Sequence, residues 1–117
     1  MEAKPSEALA EYKRLGGIMK QEMPDVMKNV GGLFQAALPA GVLSAKEKAL
    51  IGLGISVAIH CETCILVFME KCLGAGATRA EVLEACGVAV SLGGGPATAY
   101  VALVVKVLEE QGGVTRP

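Results

Sequence analysis

Residues 44–73, "SAKEKALIGLGISVAIHCETCILVFMEKCL", predict two consecutive helices with a cysteine pair where the second helix begins. Ser44 and Glu47 form a capping box, in which each side chain accepts a hydrogen bond from the other residue's backbone N–H. The chain is almost entirely apolar from there to Ile59, so we expect the first helix to be buried on most sides. The second helix is predicted over residues 61–73 and ends at the glycines that follow.

Apolar spacing, capping residues and flanking glycines or prolines predict four further helices, at residues 5–22, 24–38, 78–92 and 96–111. Ser6 is expected to cap the first of these helices. Thr78 and Glu81 repeat the capping box, and Pro96 suits the first turn of the last helix. No segment alternates as a strand does, so the sequence predicts one all-α domain over residues 1–117, a bundle of about six helices.

The composition favours close helix packing and an interface between subunits. Hydrophobic residues make up 52% of the chain but aromatic residues only 3%, so small aliphatic side chains fill the core. Gly52 and Gly54 are expected to let another backbone approach the buried helix closely. The mean hydropathy of +0.48 is high for a monomer of this size, which indicates that a membrane or another subunit covers apolar surface.

The membrane alternative depends on residues 85–105, "ACGVAVSLGGGPATAYVALVV", which carry no charge over 21 positions. The "GGGP" at residues 93–96 would break a spanning helix, so two short buried helices joined by a turn fit the run better. The first residues contain no apolar signal-peptide core, and we therefore expect a cytoplasmic protein. The net charge is −1 with no block of either sign, which argues against a nucleic-acid partner.

Cys61 and Cys64 are the strongest candidates for chemistry. They are three residues apart, so on a helix they share one face, and a helix N-terminus stabilises a thiolate. A reactive thiolate with a second thiol beside it is the basis of a two-electron redox site. A zinc site is less favoured because it needs four ligands, and idle packing of two small residues stays open.

The other titratable residues near the pair have more ordinary interpretations. Cys72 and Cys86 are predicted to be small core residues. His60 follows an apolar run and is expected to be a buried histidine, although its place beside a thiol suits it to hold or relay a proton. Glu62 is expected to point to solvent, because its charge would otherwise oppose a thiolate.

Three motifs give residues 43–97 a resemblance to a known family: the C-x-x-C at a helix start, "AGATRAEVLEA" at 75–85 and "GGGPA" at 93–97. The segment resembles the carboxymuconolactone decarboxylase-like family, specifically its alkylhydroperoxidase D-like branch. The resemblance implies an all-α fold with a family-like core over residues 43–111, preceded by N-terminal helices at 5–38. It also implies a homo-oligomer, either a trimer or a hexamer.

The same resemblance implies thiol-dependent reduction of hydroperoxides by Cys61 and Cys64, with an external dithiol donor and no metal or other cofactor. The family's proton-relay glutamate and histidine fall here at Ala49 and Phe68, so His60 is the evident substitute. Two alternatives stay open at this point. One is a general dithiol–disulfide oxidoreductase, and the other is a non-catalytic oligomeric binding protein with an idle cysteine pair.

Overall fold

The computed structural model describes residues 3–112, which form six α-helices and one short 3-10 turn and contain no strand. In chain order they are α1 (Pro5–Glu22), α2 (Pro24–Ala37), α3 (Ala45–Ala58), α4 (Glu62–Gly74), α5 (Arg79–Gly93), the turn Gly95–Ala97, and α6 (Thr98–Glu110). The predicted all-α fold of about six helices is therefore confirmed. The last helix differs in one detail, because Pro96 lies in the 3-10 turn that leads into α6 rather than in α6 itself.

Both predicted capping boxes are present and fix where α3 and α5 begin. The N–H of Glu47 donates to Ser44 Oγ at 3.0 Å, and the N–H of Ser44 donates to Glu47 Oε1 at 2.7 Å. Thr78 and Glu81 make the same reciprocal pair at 2.9 and 3.1 Å. Backbone hydrogen bonds from the capping residues lower the pKa of both glutamates, which favours the charged form that caps the helix.

The cap predicted at Ser6 is wrong. Lys4 occupies the N-cap position and Pro5 begins α1, because proline at N1 brings the helical φ and lacks an N–H that would go unpaired. Ser6 lies inside the first turn, where its backbone N–H donates to Glu110 Oε1 at 2.9 Å and its hydroxyl donates to the other carboxylate oxygen. Ser6 therefore ties α1 to α6 instead of capping α1.

The core lies where α3 packs against α4 and α5, with α6 closing the side. The largest fully buried side chains are Leu53, Val57, Ile65, Met69, Val82 and Val104. They come from four different helices, so the hydrophobic interior joins the family-like half of the chain into one unit. All six are aliphatic or methionine side chains and none is aromatic, as the composition suggested.

Gly52 and Gly54 on α3 make two different close contacts. A Cβ on Gly54 would meet the carbonyl oxygen of Ala85 at 3.6 Å, so the expected approach of another backbone is confirmed there. At Gly52 the expectation is wrong, because the neighbour is a side chain: an added Cβ would lie 2.1 Å from Phe68 Cε1. The missing side chain at residue 52 makes room for the Phe68 ring.

Helix α2 contrasts with the core, because none of its residues is buried. Its larger apolar side chains, Val26, Val30, Leu33 and Phe34, are exposed. The uncharged run at residues 85–105 is divided between α5 and α6 by the turn Gly95–Ala97, as predicted. Within residues 3–112, no helix has the length and apolar character that a bilayer crossing needs.

Candidate active site

The candidate site forms where α3 turns into α4. After α3 ends, the N–H of His60 donates to Val57 O at 3.2 Å and the N–H of Cys61 donates to Ser56 O at 3.0 Å. His60 has a φ of 61°, the left-handed conformation that reverses the chain within very few residues. The tight turn places Cys61 at the N-cap of α4.

Cys61 and Cys64 are joined as a disulfide across the first turn of α4, with their Cα atoms 5.2 Å apart. The N–H of Cys64 donates to Cys61 Sγ at 3.2 Å, so the sulfur takes the place of a capping oxygen. Both residues are half-buried. Because free N–H groups and the helix dipole favour negative charge at this end, a reduced Cys61 thiolate would be stabilised there.

His60 is exposed, which contradicts the expected buried histidine. The apolar run before it does continue the core as far as Val57, but the turn then carries residue 60 out to the surface. Its ring stacks on Tyr100 with the centroids 4.5 Å apart and the planes 3° from parallel. This contact fixes the imidazole next in sequence to the N-cap cysteine.

Tyr100 is the residue near the site that sequence analysis missed. It lies in the first turn of α6, is half-buried, and packs against the edge of the core. Spacing could not find it, because it meets His60 only through the tertiary packing of α6. Its rarity is the one signal in the sequence, since the chain has two tyrosines and no tryptophan.

Cys72 and Cys86 are buried in the core, as predicted. Burial raises the pKa of each thiol to about 11, and for Cys72 the nearby Cys86 contributes to that rise. Both therefore stay protonated near neutral pH and are inert as nucleophiles. Glu62 is exposed, which is the orientation predicted for a carboxylate beside a thiolate site.

The two positions where the family's proton relay would stand are apolar in the structure as in the sequence. Ala49 is buried in α3, and the Phe68 ring lies over Gly52. Glu47, the carboxylate nearest in sequence to Ala49, is hydrogen-bonded to the N–H of Ser44 in the capping box. His60 is therefore the imidazole that stands next to the cysteine pair in place of that relay.

Within residues 3–112, histidine, cysteine and acidic side chains do not gather in groups of three or more that could hold a metal ion. The site that the described residues do assemble is the disulfide pair with His60 and Tyr100 beside it. Two sulfur atoms beside one imidazole suit thiol–disulfide chemistry.

Comparison with known proteins agrees with this fold. The sequence pattern of the Carboxymuconolactone decarboxylase family matches residues 24–107. The chain therefore belongs to the carboxymuconolactone decarboxylase family, as the resemblance in the sequence predicted. A protein of Cupriavidus necator, described as uncharacterized, is 33% identical over 92 residues, which is 79% of this chain and 81% of that protein.

Solved structures give the same family. The apo form of a carboxymuconolactone decarboxylase family protein from Legionella pneumophila matches with a TM-score of 0.88 and 35% identity over 93% of this chain and 97% of its own. A Thermotoga maritima protein matches with a TM-score of 0.82 and 26% identity over 91% and 95%. A second crystal structure of the same Thermotoga maritima protein, described as a family protein with a possible role in the antioxidative response, matches with a TM-score of 0.68 and 29% identity over 73% of this chain and 89% of its own.

Proposed function

We propose that this protein is a thiol-dependent hydroperoxide reductase that uses Cys61 and Cys64 as its redox pair. The observation that carries the proposal is the position of Cys61 as N-cap of α4, bonded to the N–H of Cys64 while the two sulfurs are within bonding reach. One thiol is thus placed for ionisation and the other for resolving an oxidised intermediate. The possible antioxidative role described for the Thermotoga maritima protein agrees with this activity.

The reaction proceeds in three balanced steps. The Cys61 thiolate attacks the distal oxygen of the hydroperoxide, the O–O bond breaks, and the products are a cysteine sulfenic acid and an alkoxide that takes up a proton as alcohol. The Cys64 thiol then attacks the sulfenic sulfur, which forms the disulfide and releases water. A dithiol donor transfers two electrons and two protons, returns both cysteines to thiols and becomes a disulfide itself.

In this proposal His60 supplies the acid–base help. It is held by the stack on Tyr100, and it is the chain's single histidine. It lies in the turn directly before Cys61. With Ala49 and Phe68 at the relay positions, proton transfer runs without a buried carboxylate–imidazole pair. General acid–base help is worth about two to four orders of magnitude in rate, so we expect slower turnover than a complete relay would give.

The partners follow from the same chemistry. An external dithiol supplies the electrons, which suits the reducing cytoplasm expected from the sequence. Exposed apolar side chains on α3 and α5, among them Ile55, Val88 and Leu92, suit contact with further copies of the chain. We propose a homo-oligomer, a trimer or a hexamer as the family resemblance implies, with no metal or cofactor besides the cysteine pair.

General dithiol–disulfide exchange is the second candidate, and a specific observation favours it. Disulfide exchange needs an accessible pair with one stabilised thiolate but no relay to a peroxide oxygen, and this chain has Ala49 and Phe68 where the relay would be. The non-catalytic alternative, an oligomeric binding protein with an idle pair, predicts that Cys61 and Cys64 ionise like ordinary exposed thiols.

The test is rapid alkylation and peptide mass spectrometry of the fully reduced protein after one equivalent of cumene hydroperoxide. We expect a disulfide between Cys61 and Cys64, and free thiols at Cys72 and Cys86. In Cys64→Ser we expect a trapped sulfenic acid on Cys61, because that sulfur caps the helix. The matched control, Cys86→Ala, removes a thiol outside the site and keeps the reaction.

Each outcome separates the candidates. Sulfenic acid on Cys64 in the Cys61→Ser variant, and none on Cys61 in Cys64→Ser, would reverse the roles of the two thiols. Four free thiols after prolonged exposure to peroxide, with rapid oxidation by a small-molecule disulfide, would support dithiol exchange instead. Inertness toward both oxidants would leave the pair idle.

A further inference from the structure

A cavity of about 610 Å³ lies between α2 and the body of the protein. Phe34 and Leu38 line it from the α2 side, Ala49 from α3 and Phe68 from α4. Its volume falls in the range of about 300–1,000 Å³ that is usual for small-molecule sites. None of the four cysteines is among its described lining residues, but Ala49 and Phe68, where the family's proton relay would stand, do line it.

The charges at this cavity are of one sign. Lys48 and Lys71 line it, and the described residues that line it include no carboxylate. Within residues 3–112, the ion pairs join Lys13 to Glu70, Arg14 to Glu11 and Lys46 to Glu81, and neither cavity lysine takes part in them. The cavity therefore combines an apolar interior with two cations that lack an acidic partner in this part of the chain.

Lys48 is held in place by the backbone that follows α2. Its Nζ donates to Ala37 O at 2.9 Å and to Pro39 O at 2.8 Å. An ammonium has three N–H donors, so these two bonds leave one for a ligand. The neutral carbonyls orient the ammonium without neutralising its charge, which an anion in the cavity would do.

We infer that this cavity binds a small amphipathic anion, a carboxylate carried on an apolar chain or ring. The carboxylate would accept from Lys48 and be attracted by Lys71, while the apolar part lies against Phe34 and Phe68. The two rings and the methyl group of Ala49 provide the apolar contact that a purely inorganic anion would not use. The inference does not require redox activity of Cys61 and Cys64.

The probe for this site is octanoate, with octanol as the neutral ligand of matched chain length. Isothermal titration calorimetry on the full chain should show saturable binding of octanoate, at least about tenfold tighter than octanol, because a hydrogen bond to a charged group carries that difference. Lys48→Met should weaken octanoate about tenfold and leave octanol unchanged. Lys28→Met removes an exposed charge from α2 outside the cavity and is the control that should change neither affinity.

Location is tested by Phe34→Trp, which introduces a single tryptophan whose emission can be excited selectively, because the chain has no other tryptophan. Its emission should shift on adding octanoate and not on adding acetate, which lacks the apolar chain. Equal affinities for octanoate and octanol, equal losses in Lys48→Met and Lys28→Met, or no saturable binding would each overturn the inference. Binding that occurs only after oligomers are diluted into single copies would also overturn it, since another copy of the chain would then fill the cavity.

The double variant Cys61→Ser with Cys64→Ser separates this inference from the proposed function. It should bind octanoate as the original chain does while losing peroxide reduction. Loss of octanoate binding in the double variant would contradict a site separate from the cysteines. Intact binding in a protein that never reduces peroxide would refute the proposed function alone.

Discussion

The two pairs of cysteines in this small protein have the same side chains and opposite surroundings. Cys61 and Cys64 lie half-buried at the start of α4, where a backbone N–H points at sulfur. Cys72 and Cys86 lie in the core, where burial raises the pKa of each thiol to about 11. The difference shows that the helix end, rather than the presence of two thiols, decides which pair is suited to redox chemistry.

The largest expected difference between the pairs is in thiol reactivity. In the reduced, folded protein at pH 8, iodoacetamide should modify Cys61 and Cys64 more than a hundredfold faster than Cys72 and Cys86. With a pKa of about 11, roughly one in a thousand of the core thiols is ionised at that pH, and burial limits access further. The core pair should gain about tenfold in rate per pH unit up to about pH 11, because only the thiolate reacts.

Peptide mass spectrometry at successive times gives the alkylation rate of each of the four cysteines. In the control, unfolding the protein in urea should make the four rates equal. Similar rates at all four cysteines in the folded state would show that the core thiols are more accessible than their burial indicates.

Replacing cysteine by serine at the helix end and in the core should change the free energy of unfolding by different amounts. Under reducing conditions Cys61→Ser should change the free energy of unfolding by less than about 0.5 kcal/mol, because serine is a good N-cap. Cys72→Ser and Cys86→Ser should each cost about 1–3 kcal/mol, because a hydroxyl enters an apolar core. Urea titration measures both, and equal costs at Cys61 and Cys86 would contradict the contrast.

A third prediction concerns how α4, which carries the reactive pair, is held on α3. In Gly52→Ala the new Cβ would overlap the Phe68 ring at 2.1 Å, so the ring must move and the protein should lose about 1–2 kcal/mol. In Gly54→Ala the nearest atom is 3.6 Å away, and the better helix propensity of alanine should add up to about 1 kcal/mol. Thermal unfolding of the two variants should therefore shift in opposite directions; a shift in the same direction would argue against the ring contact.

The smallest expected effect is at the stack beside the reactive pair. The chain's single histidine gives one set of imidazole signals in a proton NMR spectrum, and a ring stacked at 4.5 Å should displace them. Tyr100→Leu should abolish that displacement and lower the free energy of unfolding by about 0.5–1.5 kcal/mol. Tyr100→Phe keeps an aromatic ring and should therefore retain both the displacement and the original stability. Unchanged imidazole signals in Tyr100→Leu would mean that the stack is not populated in solution.

Sequence analysis succeeded where the deciding interactions are local. The capping boxes at Ser44 and Thr78 lie within single turns, so the starts of α3 and α5 could be read directly from residue types. The cysteine pair was found for the same reason, since three residues of separation on a helix determine its geometry. The oligomeric state and the electron donor remain predictions.

The errors have two physical origins, which are local backbone geometry at a helix end and tertiary contact. His60 continues an apolar run, yet a left-handed turn carries it to the surface and onto Tyr100 from a distant helix. Gly52 accommodates a ring rather than a backbone because Phe68 on α4 happens to face it. Ser6 bonds to Glu110 instead of capping α1, and nothing within its own turn predicts that partner.

The link between Ser6 and Glu110 also bears on the order in which the chain folds. The two residues are 104 positions apart, so their hydrogen bonds require almost the whole chain to be arranged first. Contacts between α3 and α4 and between α3 and α5 close far shorter loops and lose less chain entropy. The redox turn should therefore be built early during folding, and the docking of α1 on α6 should be the late step that closes the molecule.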